Sequence, residues 1–194
     1  MKHIILASTS PRRKEIFDII WLPYTIMASN YEEDMSLQSQ MSSTELALLL
    51  SRGKWDEVVS RLSENAIVIA ADTFIVYQDK CLGKPHTIEK QKEMLQQFSG
   101  QVLDIKTGIY IHDTYSGTLI QECISSQVIF KKLTDLDIER YLSTNEWLDK
   151  AWGFAVQLKG NLLIDHISGD WYNIMWLPLK RVYEILQQQC WIQL

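Results

Sequence analysis

The segment Ser8-Thr9-Ser10-Pro11-Arg12-Arg13 puts three hydroxyls and two guanidiniums into six residues. It follows a short apolar stretch and precedes a helical pattern. Ser10 suits an N-cap and Pro11 the first helical position. Unpaired N–H groups and the helix dipole at such an end favour anions. Arginine forks match phosphate oxygens two bonds at a time. A capped surface helix with two solvated arginines is the plainer alternative. Cations are better placed at the other end of a helix, so paired arginines in the first turn argue for a bound anion.

Three further segments could act with it. Asp72-Thr73 follows six apolar residues and precedes Phe74-Ile75-Val76. A carboxylate inside such a run belongs at a strand end or in a cleft, where it needs a partner. It reads as a general base or metal ligand, or as a turn cap. Lys54 falls between Leu50 and Val58 on the apolar stripe Leu46, Leu50, Val58, Leu62 of a helix. It could snorkel to water or meet a ligand. Lys84, held in Gly83-Lys84-Pro85, could reach a phosphate or be a plain turn lysine. The P-loop pattern is absent.

These residues need elements to hold them. His3 to Ala7 reads as a buried strand, Pro11 to Ile20 as a helix, and Tyr24 to Ala28 as a returning strand. Asn30 to Met41, with Glu32, Glu33 and Asp34, reads as a mobile loop. Ser42-x-x-Glu45 is a capping box that opens a helix to about Leu62. Ala66 to Ala71 reads as a buried strand and Ile75 to Leu82 as a hairpin. Thr87 to Phe98 follows as a helix. Strands near Val102 to His112 and Leu119 to Phe130 join through a Gly117 turn. A helix at Thr134 to Leu142, strands at Phe154 to Gln157 and Leu162 to Ile167, and a last helix from Pro178 to about Gln188 complete the chain. Interleaved strands and helices with hairpins imply an α/β protein with a mixed, twisted sheet and flanking helices.

Composition narrows the function. The chain has 194 residues, enough for one sizeable core, and is treated as one domain, 1–194. A formal net charge of -5 disfavours broad nucleic-acid binding, which needs a basic surface. Cys81, Cys123 and Cys190 match no metal or redox spacing and read as reduced thiols. His3, His86, His112 and His166 lack metal-ligand spacing. No apolar run approaches a membrane span. The stretch Ile4 to Ala7 is too short for a signal-peptide core. The expectation is a cytoplasmic protein.

In order and spacing, the set resembles the Maf family of nucleotide pyrophosphatases. Leu6 to Arg13 looks like its signature loop and Glu32-Glu33 its loop carboxylate. Ala71-Asp72-Thr73, Gly83-Lys84-Pro85 and Leu95…Ser99-Gly100 follow. Asp149-Lys150-Ala151 with Gln157, then Gly169-Asp170, Tyr172-Asn173 and Leu177-Pro178-Leu179, complete it. The resemblance implies a fold like the inosine-triphosphate pyrophosphatases, two lobes around a cleft. It implies metal-dependent hydrolysis of a nucleoside triphosphate to monophosphate and pyrophosphate. Asp72 would be the proton acceptor; Ser8, Arg13, Lys54 and Lys84 would hold phosphates. Glu33 and Asp72 would hold Mg²⁺ or Mn²⁺. Arg12, Thr73 and Gln157 resemble the branch acting on dTTP and UTP rather than on 7-methyl-GTP. The expected partner is the nucleotide, with no nucleic acid or membrane, and a homodimer is compatible.

The chain also departs from the family. Trp21, Trp152 and Trp176 stand where the family has glycine, Trp55 where it has alanine, Trp147 where it has proline. A glycine position implies positive φ or close backbone approach. Trp152 would lie near the base pocket, able to stack on a base or block it. A catalytically impaired nucleotide-binding protein is therefore the alternative function. A gene that reads UGA as glycine, rendered with UGA as tryptophan, also gives this pattern.

Overall fold

The computed structural model describes residues 1–148, 150 and 152–188. Thus Cys190, Asp149 and Ala151 lie outside the described residues. The chain runs β1 (Ile4–Leu6), α1 (Pro11–Asp18), β2 (Thr25–Ile26), α2 (Ser43–Val59), β3 (Ile67–Tyr77), β4 (Lys80–Cys81) and α3 (Ile88–Phe98). It continues with β5 (Val102–Asp113), β6 (Thr118–Phe130), α4 (Asp135–Ser143), β7 (Ile164–Ser168), α5 (Trp171–Ile174) and α6 (Leu179–Gln188). One mixed sheet of seven strands takes the order β2-β1-β3-β5-β6-β7, with β4 beside β3. β1 lies parallel to β2 and β3, and the remaining pairs are antiparallel. This is the expected α/β architecture of a mixed sheet with flanking helices.

β3 differs most from expectation. Asp72-Thr73 does not end a strand; it lies inside a continuous one. β5 pairs with β3 from Ile67 to Val76, so the ladder on that side carries the polar pair through. On the opposite side β1 pairs only with Ile67, Val68 and Ile69, while β4 joins at Val76 and Tyr77. Between them β3 has an open edge, and Asp72 sits in it.

The period of two then sorts the core. Val68 and Ala70 pack with Val58 of α2, and Phe74 and Val76 with Leu46 and Leu50 of the same helix. Ile67, Ile69 and Ala71 face α1 and α6, whereas Ile75 joins the α3 and α4 cluster. Apolar packing therefore breaks at the same level on both faces, at Asp72 on one and Thr73 on the other. This polar seam between apolar clusters, opening at a strand edge, makes the cleft.

Local rules hold at the helix starts. Ser10 caps α1, accepting from Arg13 N, and Pro11 opens it. Ser42 and Glu45 form the reciprocal capping box of α2, and Thr134 with Asp137 forms another on α4. Two loops differ from expectation. Asp34 caps a 3₁₀ turn, Met35–Ser39, inside the stretch read as an open loop. Phe154 to Gln157 forms turns, not a strand. β7 already occupies the edge of β6, which leaves this short apolar run no strand to pair with there.

The tryptophans divide. Trp21 has φ 58 and is 91% exposed, and Trp176 has φ 95. Both adopt the left-handed backbone expected at glycine positions. Trp152 is buried, with its ring stacked on Trp176 at 4.5 Å and 5°. The buried indole N–H groups of Trp55 and Trp147 have no hydrogen-bond partner among the described residues. Trp21 gains little from burial and bears the left-handed cost of roughly 1–2 kcal/mol. Trp21→Gly is expected to raise the melting temperature by about 2–4 °C in calorimetry. An unchanged or lower value would mean that Trp21 belongs there. UGA at codons 21, 152 and 176 would show these positions to be glycine in the source, and UGG at all three would refute it.

Candidate functional site

At the open edge of β3, a cleft of about 330 Å³ gathers Ser8, Thr9, Ser10 and Arg13 from the β1–α1 turn. Ser29, Tyr31, Glu33 and Met35 enter from the loop after β2, Lys54 from α2, and Asp72, Thr73 and Phe74 from β3. The carboxyl end of β1 faces the N-terminus of α1 here, the usual place for ligands in an open α/β sheet. A larger and more apolar groove of about 600 Å³, lined by Trp21, Tyr172 and Tyr183 among others, lies elsewhere and has none of these residues.

Asp72 is 6% exposed. Its Oδ1 accepts from Lys54 Nζ at 2.5 Å, and the same ammonium meets Glu33 Oε1 at 2.6 Å. One cation thus bridges two carboxylates. Lys54 comes from the apolar face of α2, as its spacing suggested. It reaches the cleft because Asp72 replaces an apolar side chain on the sheet face that α2 covers. Glu33 is held by its loop. Asn30 N donates to Glu57 of α2, Arg61 of the same region donates to the Ala28 carbonyl, and the Tyr31 ring lies directly over Gly53. A Cβ at position 53 would overlap that ring, so glycine beside Lys54 is what lets the loop close.

Arg13 is buried on the other wall. Its Nε donates to the Trp176 carbonyl at 3.0 Å and its Nη2 to Thr73 Oγ1 at 3.2 Å. Thr73 Oγ1 also bonds Thr107 and the Trp176 carbonyl, so its hydroxyl is engaged on three sides. Burial pulls the guanidinium's pKa below its ordinary value, and the charges of Asp72 and Glu33 push it back up. No carboxylate among the described residues lies within ion-pair distance of it. A buried guanidinium with neutral partners and unused donors suits an incoming anion. Ser8 is buried and its Oγ accepts from Ser10 N at 3.1 Å, which shapes the turn before α1.

The structure therefore brings together Ser8, Arg13, Glu33, Lys54, Asp72 and Thr73. Three expected site residues stand apart from the cleft lining. Arg12 lies over the Trp176 ring at 5.3 Å, with burial lowering its pKa. Lys84 and Gln157 are exposed. Sequence reading passed over Tyr31, which sits in the stretch read as a mobile loop, and Ser29, which falls between that loop and the strand read as ending at Ala28. The Trp176 carbonyl was also missed, because a backbone acceptor leaves no signal in side-chain identity.

The donor set can be tested against a divalent cation. Two hard carboxylates share one positive charge, and no group of three or more His, Cys, Asp or Glu among the described residues could hold a metal. That fits an ion held by one or two carboxylates together with phosphate oxygens, the habit of Mg²⁺, rather than an all-protein cage.

Comparison with known proteins gives the family. The profile of the Maf-like protein family matches residues 3–189. A dTTP/UTP pyrophosphatase of Methanococcoides burtonii is 39% identical over 189 residues, 97% of this chain and 95% of the relative. A dTTP/UTP pyrophosphatase of Bacillus cereus is 36% identical over 188 residues, covering 97% of this chain and 90% of the relative. One from Bacillus cytotoxicus is 36% identical, covering 97% and 96%. With its signature loop, cleft carboxylate and lysine assembled around one strand edge, and with similarity along nearly its whole length, the chain belongs to the Maf family.

Proposed function

We propose that this protein hydrolyses dTTP and UTP to the monophosphate and pyrophosphate. One observation carries the reading: a buried carboxylate, a buried guanidinium and a lysine converge on a cleft at the N-terminus of α1. The names of the relatives support the choice of nucleotide.

The triphosphate enters with its oxygens toward Arg13, Ser8 and the N–H groups of the α1 turn. These donors are fixed before the substrate arrives, so they stabilise developing charge without reorganising. Asp72 orients a water for attack on phosphorus and takes its proton. Lys54 offsets charge on the phosphates. Glu33 and Asp72 would hold Mg²⁺ or Mn²⁺, which when bound would supply positive charge to neutralise the phosphate chain. Arg12, Thr73, Gln157 and Lys84 serve as selectivity and phosphate contacts. For Lys84 and Gln157 this requires approach to the bound nucleotide from outside the present lining.

No helix among the described residues is long and apolar enough to cross a membrane. We place the protein in the cytoplasm, where its nucleotide is found, and a homodimer remains compatible with the site. Incubation with a panel of triphosphates and Mg²⁺ or Mn²⁺ tests the reaction. Equal amounts of UMP or dTMP and pyrophosphate are expected. Inorganic phosphate alone would identify a γ-phosphatase instead. Binding without turnover would favour an impaired nucleotide-binding protein, with Trp152 and Trp176 stacked beside the cleft as the suspected cause.

A further inference from the structure

We infer that Lys54 fills the divalent-cation position in the nucleotide-free protein, so that the substrate taken up is the metal–nucleotide complex and not a nucleotide meeting a metal already in place. This rests on the triphosphate reading above.

Lys54 Nζ contacts Asp72 Oδ1 at 2.5 Å and Glu33 Oε1 at 2.6 Å, distances that leave no room for an ion between the ammonium and either oxygen. The Lys54 side chain is 14% exposed and that of Asp72 is 9%, so this pair is poorly screened, while Glu33, at 40%, closes the bridge from the solvent side. A divalent ion added to it would set three positive charges against two negative ones, competing for the same lone pairs. The carboxylates are the fixed members. Asp72 is held in β3 by its pairing with β5, and the loop that carries Glu33 is seated on α2 by the Tyr31–Gly53 contact. Lys54 is the adjustable one, a flexible four-carbon stem with three rotatable donors. Its replacement needs two things together: a cation for the carboxylates and an anion for the lysine. A metal-bound triphosphate supplies both, whereas free metal supplies only the first. Lys54 then turns from the carboxylates to a phosphate oxygen, serving as counter-ion before binding and phosphate ligand after it.

The test uses Mn²⁺ alone as the probe, followed by titration calorimetry and by the signal of free Mn²⁺ in electron paramagnetic resonance. The purified protein, Lys54→Met and Lys54→Arg are compared with and without α,β-methylene-UTP, which resists cleavage at the scissile position. The unaltered protein should bind Mn²⁺ at least about tenfold more weakly without the analogue than with it. Lys54→Met should bind Mn²⁺ alone at least about tenfold more tightly than the unaltered protein, because two carboxylates lose their internal cation. Lys54→Arg keeps the charge and should stay weak, a difference that a merely structural role would not produce. Melting curves check that each variant folds. Mn²⁺ affinity of the unaltered protein that is indifferent to the analogue overturns the inference, even if Lys54→Met does not fold. So does a folded Lys54→Met with no gain in Mn²⁺ affinity. Failure of the analogue to bind at all would count against the triphosphate reading, and the comparison with Mn²⁺ alone would still decide the place of Lys54.

Discussion

Asp72→Asn is expected to lower kcat for dTTP or UTP by about 10²–10⁴-fold, the usual worth of a general base. The change removes one oxygen's charge and basicity but keeps shape, so β3 should retain its ladder with β5 and its packing under α2. Circular dichroism should be unchanged. KM should rise as well, but by less than kcat falls, since Arg13 and the α1 turn still hold the phosphates while Asp72's share in holding the metal is weakened. Turnover within a few fold of the parent would remove Asp72 from the proton transfer, and the base would have to be sought at Glu33.

Arg13→Ala is expected to weaken every triphosphate together. A hydrogen bond to a charged group is worth about 1.5–3 kcal/mol, so KM should rise by roughly 10–100-fold whatever the base. Arg13 also ties the β1–α1 turn to the Trp176 carbonyl and to Thr73, so some loss of stability should accompany it. Arg13→Lys separates the two effects. It keeps a positive charge but loses the planar fork, and should recover only part of the affinity. Arg12, stacked outside the lining, should act differently: Arg12→Tyr should redistribute preference among nucleotides without an equal loss for all. Equal losses in both variants would show that selectivity lies elsewhere.

What was legible in the sequence was mostly local. The Ser10 cap, the Ser42–Glu45 box and the Gly117 turn are decided within a few residues, and each stands where spacing put it. Lys54 was legible because a charge on an apolar helical stripe must face something. The continuity of β3 was not. Asp-Thr after an apolar run looks like a strand end, and only pairing with β5, far along the chain, carries the strand through it. Phe154 to Gln157 failed for the related reason that a short apolar run does not reveal whether a partner strand has a free edge. The bridge from Lys54 to Glu33 depends on a loop fold fixed by Tyr31, for which local sequence gives no rule.

Gly108 lies directly across the ladder from Asp72. A Cβ there would run into the Ala47 carbonyl of α2, so the helix rests on the bare backbone of β5 at the level of the cleft carboxylate. Gly108 therefore works as a shim: the helix-to-sheet spacing, and with it the reach from Lys54 to Asp72, is set by the thickness of one residue. Even alanine would wedge the helix outward and lengthen that reach. Selection at position 108 would then resemble selection for chemistry, although the residue need never touch a nucleotide.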